Sequence, residues 1–380
     1  MDLDQLRAKL DETDDALLGL FQQRMDTVRQ VAQYKAAHRL PIAHTGRERA
    51  VLQRVTERAG EELEDYTKIL YSTLFDISRS YQARLLGAGA GALSGSVTRA
   101  LENTPSIFPK RGVVACQGVE GAYSQQACDR LFSMANILYF KNFEGVFNAV
   151  EQGLCQYGML PIENSTHGTV NEVYDLMRHY HFYIVRSLKL KINHALLAKP
   201  GVSLADIREI YSHEQAIGQC SAFLKGCKNV RVTVCENTAE AAKLVAESGQ
   251  SDVASISSPE CANLYGLSVL TSEIANSDSN FTRFICIAKD LAIYPGANRI
   301  SLMVSAQHTP GALYTLISKF SVLGLNLTKL ESRPIPGRDF EFLFYFDMEA
   351  SVYSPAVLSL LDELSAGPEQ FVFLGSYAEV

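Results

Sequence analysis

The chain is 380 residues long and 47% hydrophobic, which is enough for two or three globular domains that each bury a core. With 35 basic and 42 acidic side chains, its net charge of −7 provides no overall positive field for nucleic acid or an anionic membrane. No stretch approaches the ~20 apolar residues of a membrane span, and the charged N-terminus differs from a secretory signal. We therefore expect a cytoplasmic protein with neither a nucleic-acid nor a membrane partner.

The eight cysteines lie in the middle of the chain, and no two of them form a C-x-x-C pair. They are Cys116, Cys128, Cys155, Cys220, Cys227, Cys235, Cys261 and Cys286. This usage favours reduced, partly buried thiols over zinc ligands or disulfides. No metal or organic cofactor is indicated.

The first 85 residues predict an all-α unit of three helices. Apolar residues recur at helical spacing from Leu3 to Ala32, which predicts a first helix of about 35 residues. Pro41 ends this pattern, and the capping-box motif that begins at Thr45 predicts the start of the second helix. The second helix is expected to end near Gly60, and the third helix is expected to cover residues 63–85. A first helix this long cannot fold back on itself and therefore favours a partner chain.

Three further segments follow the helical unit. Residues 86–110 are rich in Gly, Ala, Ser and Pro, which predicts a linker. From 111 to 290, short β-rich runs alternate with helical stretches, which is typical of an α/β domain. Residues 298–380 predict a third folded domain with the ferredoxin-like order βαββαβ. Its predicted elements are Arg299–Ala306, Gly311–Leu323, Leu325–Ser332, Glu341–Met348, Pro355–Leu364 and Gln370–Leu374.

Polar residues on the predicted helices have spacings that suit a small anion. Arg24 and Lys35 are 11 residues apart, which places them within ~20° of one face and ~16 Å apart along the axis. Arg7 is ~42 Å from Lys35 along that axis, so it can join this site only from an antiparallel helix of a second subunit. Ser78 and Gln82 share a face at i, i+4. Alternatively, the cations are solvated helix-face charges.

These residues resemble the chorismate mutase domain of the all-helical class. The stretch Leu6-Arg7-Ala8-Lys9-Leu10-Asp11-Glu12-Thr13-Asp14 matches the start of that pattern. The match continues at the family's spacings through Arg24, Lys35, Arg47-Glu48-Arg49 and the Ser78…Gln82 pair. The resemblance implies a three-helix domain in an intertwined dimer that rearranges chorismate to prephenate.

The resemblance also implies a role for each of these residues. Arg24, Arg47 and the partner subunit's Arg7 would hold the two carboxylates of chorismate, aided by Ser78. Lys35 and Gln82 would act catalytically at the breaking ether oxygen, and Glu48 at the ring hydroxyl, although a helix-capping role alone would also explain Glu48. Confinement plus electrostatics can account for a ~10⁶-fold acceleration. His44 stands where relatives often carry an acidic residue, which predicts weaker contact with the substrate hydroxyl.

Four short polar runs lie beside predicted strand ends in the α/β domain. They are Gly118-Val119-Glu120-Gly121-Ala122-Tyr123-Ser124, Pro161-Ile162-Glu163-Asn164-Ser165, Ser212-His213-Glu214-Gln215-Ala216 and Asn280-Phe281-Thr282-Arg283-Phe284. Loops that follow strands collect ligand groups in α/β sheets, and a Gly-rich turn before a helix suits an anion. Alternatively, Ser-His-Glu is a helix cap and His213 a local hydrogen-bonding residue.

In this order the four runs resemble prephenate dehydratase, which has a two-lobed fold similar to type II periplasmic binding proteins. The resemblance implies that Thr282 is the catalytic acid, which protonates the departing ring hydroxyl while carbon dioxide leaves. Prephenate-binding residues are then expected among Asn164, Ser165, Ser212, Gln215, Arg283 and Phe284. Threonine is a weak acid in water, so the site must polarise it, and aromatisation of the ring provides driving force.

The third folded domain resembles an α+β ACT regulatory domain. Its motifs are Pro310-Gly311-Ala312-Leu313 and Glu331-Ser332-Arg333-Pro334. The resemblance implies binding of L-phenylalanine between paired domains, with feedback inhibition. The expected contacts are Gly311, Ala312, Leu313, Asn326, Glu331 and Ser332. A simple turn and helix start would also explain the Gly311 motif.

Taken together, the three resemblances point to the bifunctional P-protein family of phenylalanine biosynthesis, acting on chorismate and prephenate as a homo-oligomer, either a dimer or a tetramer. Two alternatives remain open. A ligand-responsive transcription factor could have the same layout, although residues 1–85 hold 13 basic and 14 acidic side chains, unlike a DNA-binding domain. In the other alternative, the helical unit only dimerises the dehydratase.

Overall fold

The computed structural model describes residues 2–38, 40–42, 44–85, 91–306, 308–335, 341–367 and 370–380. They divide into two compact units. The first holds residues up to Thr98, Val304–Tyr345 and Val352–Phe371, and the second holds Arg99–Met303, Phe346–Ser351 and Val372–Val380. In these ranges, no helix is both long enough and apolar enough to cross a membrane.

The three predicted N-terminal helices are present close to their expected bounds. They are α1 (Leu3–His38), α2 (Thr45–Ala59) and α3 (Glu64–Leu85), with a 3-10 turn at Glu61–Leu63. Helix α3 packs against both α1 and α2, and Ala32 of α1 is fully buried. The N-terminal half of α1 instead exposes a row of leucines, each at least 45% accessible: Leu3, Leu6, Leu10, Leu17 and Leu20.

The start of α2 differs from the predicted capping box. His44 is the N-cap, and its Nδ1 accepts a hydrogen bond from the Arg47 amide at 3.1 Å. The Glu48 carboxylate accepts a bond from the Arg79 guanidinium at 2.6 Å. The side chain of Thr45 lies outside the described residues. The predicted start of α2 is therefore correct, but an imidazole caps it and Glu48 is engaged by α3.

Part of the predicted linker is a helix, α4 (Ala92–Asn103). The buried Asp362 carboxylate accepts a hydrogen bond from the Ser94 amide at 3.0 Å near the start of this helix. A Cβ on Gly91 would lie 2.3 Å from Asp362 Oδ1, so a side chain here would displace the Asp362 carboxylate. Alanine favours helix, and Val97 is fully buried, so α4 is anchored by packing and by a distant carboxylate.

The region predicted to be α/β forms two sheets flanked by helices. Its helices are α5 (Tyr123–Leu131), α6 (Phe143–Glu151), α7 (Asn171–Tyr180), α8 (Glu214–Gln219), α9 (Ser221–Gly226), α10 (Thr238–Glu247) and α11 (Glu260–Tyr265). Its strands are β1 (Arg111–Gln117), β2 (Met134–Phe140), β3 (Tyr157–Asn164), β4 (Gly168–Thr169), β5 (Tyr183–Lys191), β6 (Ala195–Ala198), β7 (Glu209–Ser212), β8 (Arg231–Val234), β9 (Val253–Ser257), β10 (Ser268–Thr271) and β11 (Phe281–Ala288). The α/β prediction is confirmed.

Each sheet is the centre of one lobe. Lobe A has the strand order β2-β1-β3-β11-β5, with β4 paired to β3, and lobe B has the order β10-β6-β9-β7-β8. Strand β11 runs antiparallel to both β3 and β5, whereas β1 runs parallel to β2 and β3. Each lobe buries its own apolar core. The carboxyl end of β3 and the amino end of β11 therefore meet at one edge of lobe A.

The C-terminal elements follow the predicted order βαββαβ. They are β12 (Arg299–Ala306), α12 (Ala312–Val322), β13 (Asn326–Pro334), β14 (Phe342–Glu349), α13 (Pro355–Ser365) and β15 (Phe371–Tyr377). Their sheet has the order β13-β14-β12-β15, so β13 is an edge strand.

Candidate active sites

A cavity of about 500 Å³ lies between the two lobes. Helices α5, α6, α7 and α10 all begin at this cavity, with their first residues in its wall: Tyr123, Phe143, Asn171 and Thr238. The exposed amides of a helix N-terminus carry a partial positive charge and bind anions. Among the described residues, the cavity wall contains no lysine or arginine. The wall also holds the carboxylates of Glu172 and Glu236, so a carboxylate ligand would be held by the helix N-termini rather than by lysine or arginine.

Thr282 faces this cavity from β11 and is 8% exposed. Its Oγ1 accepts a hydrogen bond from Asn164 Nδ2 at 2.9 Å. The orientation of the Asn164 amide is fixed, because its Oδ1 accepts bonds from the backbone amides of Thr166 and His167 at 2.9 and 3.0 Å. Since the Thr282 oxygen is an acceptor here, its own proton remains available for donation to a ligand in the cavity.

Gln219 and His194, which the sequence analysis missed, connect the lobes at the cavity. Gln219 Oε1 lies 2.8 Å from His194 Nε2, and Gln219 Nε2 donates a hydrogen bond to Thr166 Oγ1 at 3.1 Å. His167 Nδ1 is 3.0 Å from the same Gln219 nitrogen. One signal was present in the sequence, because Gln219 lies four residues after the predicted Gln215, on the same face of α8.

The structure brings together four of the seven residues predicted for the dehydratase site. Thr282, Asn164, Gln215 and Phe284 line the cavity. His213 also lines it, and it caps α8 by accepting a bond from the Gln215 amide at 3.3 Å.

The structure does not support the other three predicted prephenate contacts, because their side chains have partners elsewhere. Ser165 donates to the Ser279 carbonyl at 2.8 Å, and the fully buried Ser212 donates to the Ile256 carbonyl at 2.8 Å. Arg283 follows Thr282 on β11 and pairs with Asp347. Because side chains alternate along a strand, Arg283 projects away from the face that carries Thr282. None of the three lines the cavity.

His194 gives the dehydratase region a testable pH dependence. Burial lowers the pKa of His194 below its ordinary 6.5, and the Gln219 hydrogen bond opposes this only in part. Just below pH 6.5, His194 therefore binds protons more readily in the unfolded chain than in the folded chain. Its contribution to the free energy of unfolding is fully present above this pH and is lost as the pH falls. Calorimetry between about pH 7.5 and 5.5 should show a smaller loss of melting temperature in His194→Gln than in wild type. Equal slopes would contradict the prediction.

A second polar cluster lies between α1 and α3. Arg24 Nη1 donates to Ser78 Oγ at 2.5 Å and to the Leu74 carbonyl at 3.4 Å. Gln82 Nε2 donates to the Ser78 carbonyl at 3.1 Å, whereas its Oε1 is buried without a hydrogen-bond partner. Burial lowers the pKa of Arg24. The structure thus brings Arg24, Ser78 and Gln82 together, with an amide oxygen left for a ligand.

The remaining predicted mutase residues lie apart from this cluster in the single chain. Lys35 Nζ donates to the Ile42 carbonyl, and Arg47 is exposed. Glu48 pairs with Arg79, which the sequence analysis missed. Arg7 has a 66% exposed side chain and pairs with Asp4 at 3.3 Å. Its place on α1, far from Lys35, agrees with the predicted need for a second subunit.

The predicted phenylalanine contacts divide between α12 and β13. Gly311 precedes α12 with a φ of +83°, and Ala312 and Leu313 are partly buried. Accessibility alternates along β13, with Asn326 and Ser332 on its exposed face and Glu331 on the opposite face. Within one chain, Asn326 and Glu331 therefore do not share a face.

All eight cysteines are free thiols, six of them buried and two partly exposed. Among the described residues, no group of three or more His, Cys, Asp or Glu side chains could hold a metal ion.

Comparisons with known proteins define the class. Residues 6–83 match the chorismate mutase type II family, and residues 114–292 match the prephenate dehydratase family. The bifunctional chorismate mutase/prephenate dehydratase of Escherichia coli strain K12 is 31% identical over 98% of this chain and 95% of its own. Arogenate dehydratase/prephenate dehydratase 2 of Arabidopsis thaliana is 37% identical over 70% of this chain and 72% of its own.

A solved structure supports the same assignment. Prephenate dehydratase from Arthrobacter aurescens, in complex with L-Phe, has 29% identity and a TM-score of 0.64 over 70% of this chain and 89% of its own. A helical mutase region followed by an α/β dehydratase region places the chain among the enzymes of aromatic amino-acid synthesis. It belongs to the bifunctional chorismate mutase/prephenate dehydratase family. The comparisons favour this class over the transcription-factor alternative.

Proposed function

We propose that the Thr282 cavity converts prephenate to phenylpyruvate, and that the cluster between α1 and α3 supplies prephenate by rearranging chorismate. The chain is thus a bifunctional enzyme of phenylalanine biosynthesis. One observation carries the dehydratase assignment: the Thr282 hydroxyl accepts from Asn164 and keeps its proton for the cavity. Formation of phenylpyruvate from prephenate by the purified chain tests it, and absence of turnover would contradict it.

The dehydratase step follows from this geometry. The helix N-termini hold the two carboxylates of prephenate and place its ring hydroxyl near Thr282. As the ring carboxylate leaves as carbon dioxide, the electron pair of the broken C–C bond enters the ring and expels the hydroxyl. Thr282 gives that hydroxyl its proton, so it leaves as water, and the threonine is then reprotonated from solvent. The product ring is aromatic.

The mutase step needs no covalent catalysis. Ser78 and the Leu74 carbonyl hold the half-buried Arg24 guanidinium in place for a carboxylate of chorismate. Nε2 of Gln82 keeps a second hydrogen for the ether oxygen, where negative charge grows as the C–O bond breaks. We assign Lys35 and Arg47 of the same chain and the partner subunit's Arg7 to the same binding site, although they lie apart from this cluster in the single chain.

A second copy of this chain is the proposed partner of α1. Its exposed leucines extend from Leu3 to Leu20, with a gap between Leu10 and Leu17, and α3 exposes Tyr66, Ile69 and Leu70 in the same compact unit. Large apolar surfaces of this kind mark interaction sites. An antiparallel second α1 would cover the leucines and bring Arg7 to the opposite active site, which gives a homodimer or a tetramer built from it.

The C-terminal elements support regulation by L-phenylalanine. The βαββαβ order and the sheet order β13-β14-β12-β15 match a ferredoxin-like fold, and we assign an ACT domain to residues 298–380. The two lobes of residues 111–290 likewise support a fold like that of type II periplasmic binding proteins. Gly311 is the exposed N-cap of α12 and Asn326 the exposed first residue of β13, and we assign both to a ligand shared between paired domains. Binding there would lower dehydratase activity.

A further inference from the structure

Arg283 is a buried cation with a specific partner outside the cavity. Its side chain is 7% exposed and donates to Asp347 of β14, whose side chain is also 7% exposed. Arg283 Nε lies 3.9 Å from the Glu163 carboxylate of β3. Removing one member of such a pair leaves an uncompensated buried charge. Arg283 therefore fixes β11 to β14, one residue away from the catalytic threonine.

The contact continues into two more strands of the four-stranded sheet. Asp347 Oδ1 accepts a hydrogen bond from Ser301 of β12 at 2.5 Å, and Ser301 Oγ lies 2.6 Å from the Tyr377 hydroxyl of β15. All four residues belong to the same compact unit. Burial alone would lower the pKa of Arg283, but the charge and hydrogen bond of Asp347, together with Tyr377 and Tyr174, outweigh burial and raise it. The guanidinium thus stays charged, and it is linked through Asp347 to β14, β12 and β15.

An independent contact joins the same sheet to lobe A. The segment after β15 lies along β5: the Ser187 amide donates to the Ala378 carbonyl at 3.1 Å, and the Val380 amide donates to the Ser187 carbonyl at 2.9 Å. Lys189 of β5 pairs with Glu379 at 3.1 Å. Because β5 is hydrogen-bonded to β11 along its whole length, movement of β15 reaches β11 through backbone contacts as well.

We propose that Arg283 is a positioning residue through which the C-terminal sheet controls Thr282, and that the Arg283–Asp347 pair carries the effect of phenylalanine to the dehydratase site. This inference rests on the proposed regulation. A shift of Asp347 moves Arg283 and turns the adjacent Thr282 relative to Asn164 and the substrate hydroxyl. The helix N-termini that bind the carboxylates lie on other elements, so kcat changes while prephenate affinity is kept.

The test compares Asp347→Asn with the matched control Glu349→Gln in the full chain. Glu349 lies on the same strand, and its half-exposed side chain pairs with Arg299 at 3.6 Å. In Asp347→Asn we expect the dehydratase kcat to fall ~10-fold or more, while the KM for prephenate stays within about twofold of wild type. Calorimetry should still detect phenylalanine binding, but phenylalanine should change the dehydratase rate less than about twofold. Wild type and Glu349→Gln should both respond to phenylalanine by ~5–150-fold.

Ser301→Ala is a second variant that tests the same contact if Asp347→Asn does not fold. It removes one hydrogen bond to Asp347 without unpairing a charge, and we expect the same changes at smaller size. A wild-type melting temperature of the dehydratase region shows that the variant is folded, whereas mutase activity reports only on the other compact unit. Folded variants with wild-type kcat and a wild-type response to phenylalanine would overturn the inference. If phenylalanine fails to inhibit the wild-type chain, the proposed regulation is wrong, and the kcat-against-KM result still decides whether Arg283 positions Thr282.

Discussion

Replacing Thr282 by valine should lower the dehydratase kcat by a factor of ~10²–10⁴ while the KM for prephenate stays within about threefold of wild type. Valine has nearly the shape of threonine but cannot donate a proton. The helix N-termini that we propose to bind the carboxylates are unaffected, so binding should be kept and only the protonation of the leaving hydroxyl lost. Steady-state formation of phenylpyruvate from prephenate measures both constants.

Thr282→Ser is the matched control, because serine keeps a hydroxyl within reach of Asn164. We expect it to retain dehydratase activity within about tenfold of wild type. Mutase activity should be unchanged in both variants, since the chorismate residues lie on other elements. A valine variant with the wild-type kcat would exclude Thr282 as the acid.

The second large effect concerns two arginines that are proposed to meet across a subunit interface. Arg24→Ala and Arg7→Ala should each lower mutase kcat/KM by ~10²-fold or more, because each arginine is proposed to hold a carboxylate of chorismate by strong charge-assisted bonds. Dehydratase activity on prephenate should be unchanged in both. The rate of chorismate loss measures the effect.

Mixing the two variants tests whether the site is shared. After equal amounts are unfolded and refolded together, half of the dimers are hybrids, and each hybrid has one site with both arginines. The mixture should therefore regain about a quarter of wild-type mutase activity. Arg24→Ala mixed with wild type controls for recovery on refolding, because half of wild-type activity is expected there whether or not the subunits exchange. If the two inactive variants regain nothing, Arg7 and Arg24 act in the same chain or not at all.

Local signals account for what the sequence predicted well. The period of the leucines in α1, the alternation of short strands and helices, and the βαββαβ order each depend on neighbouring residues, and all three are present in the structure. Asn164 and Thr282 were also found from motifs at strand ends, which is where the topology brings β3 and β11 together.

What the sequence analysis missed depends on partners far apart in the chain. Helix α4 was interpreted as linker because its anchor, Asp362, is 268 residues away from Ser94. Arg283 was assigned to prephenate because its motif adjoins Thr282, whereas its partner Asp347 comes from another domain of the sequence. His194 carried no motif, and the signal for Gln219 was only its spacing from Gln215. Pairings of this kind become visible only when the fold brings the elements together.

The measurement that tests the central claim most directly is a time course of the purified full-length chain with chorismate alone, in the presence of a chelator. The account predicts that chorismate falls, prephenate rises transiently, and phenylpyruvate accumulates to the amount of chorismate consumed. Unchanged chorismate, from a chain that still converts added prephenate, would contradict it and would make the helical unit a dimerisation module only.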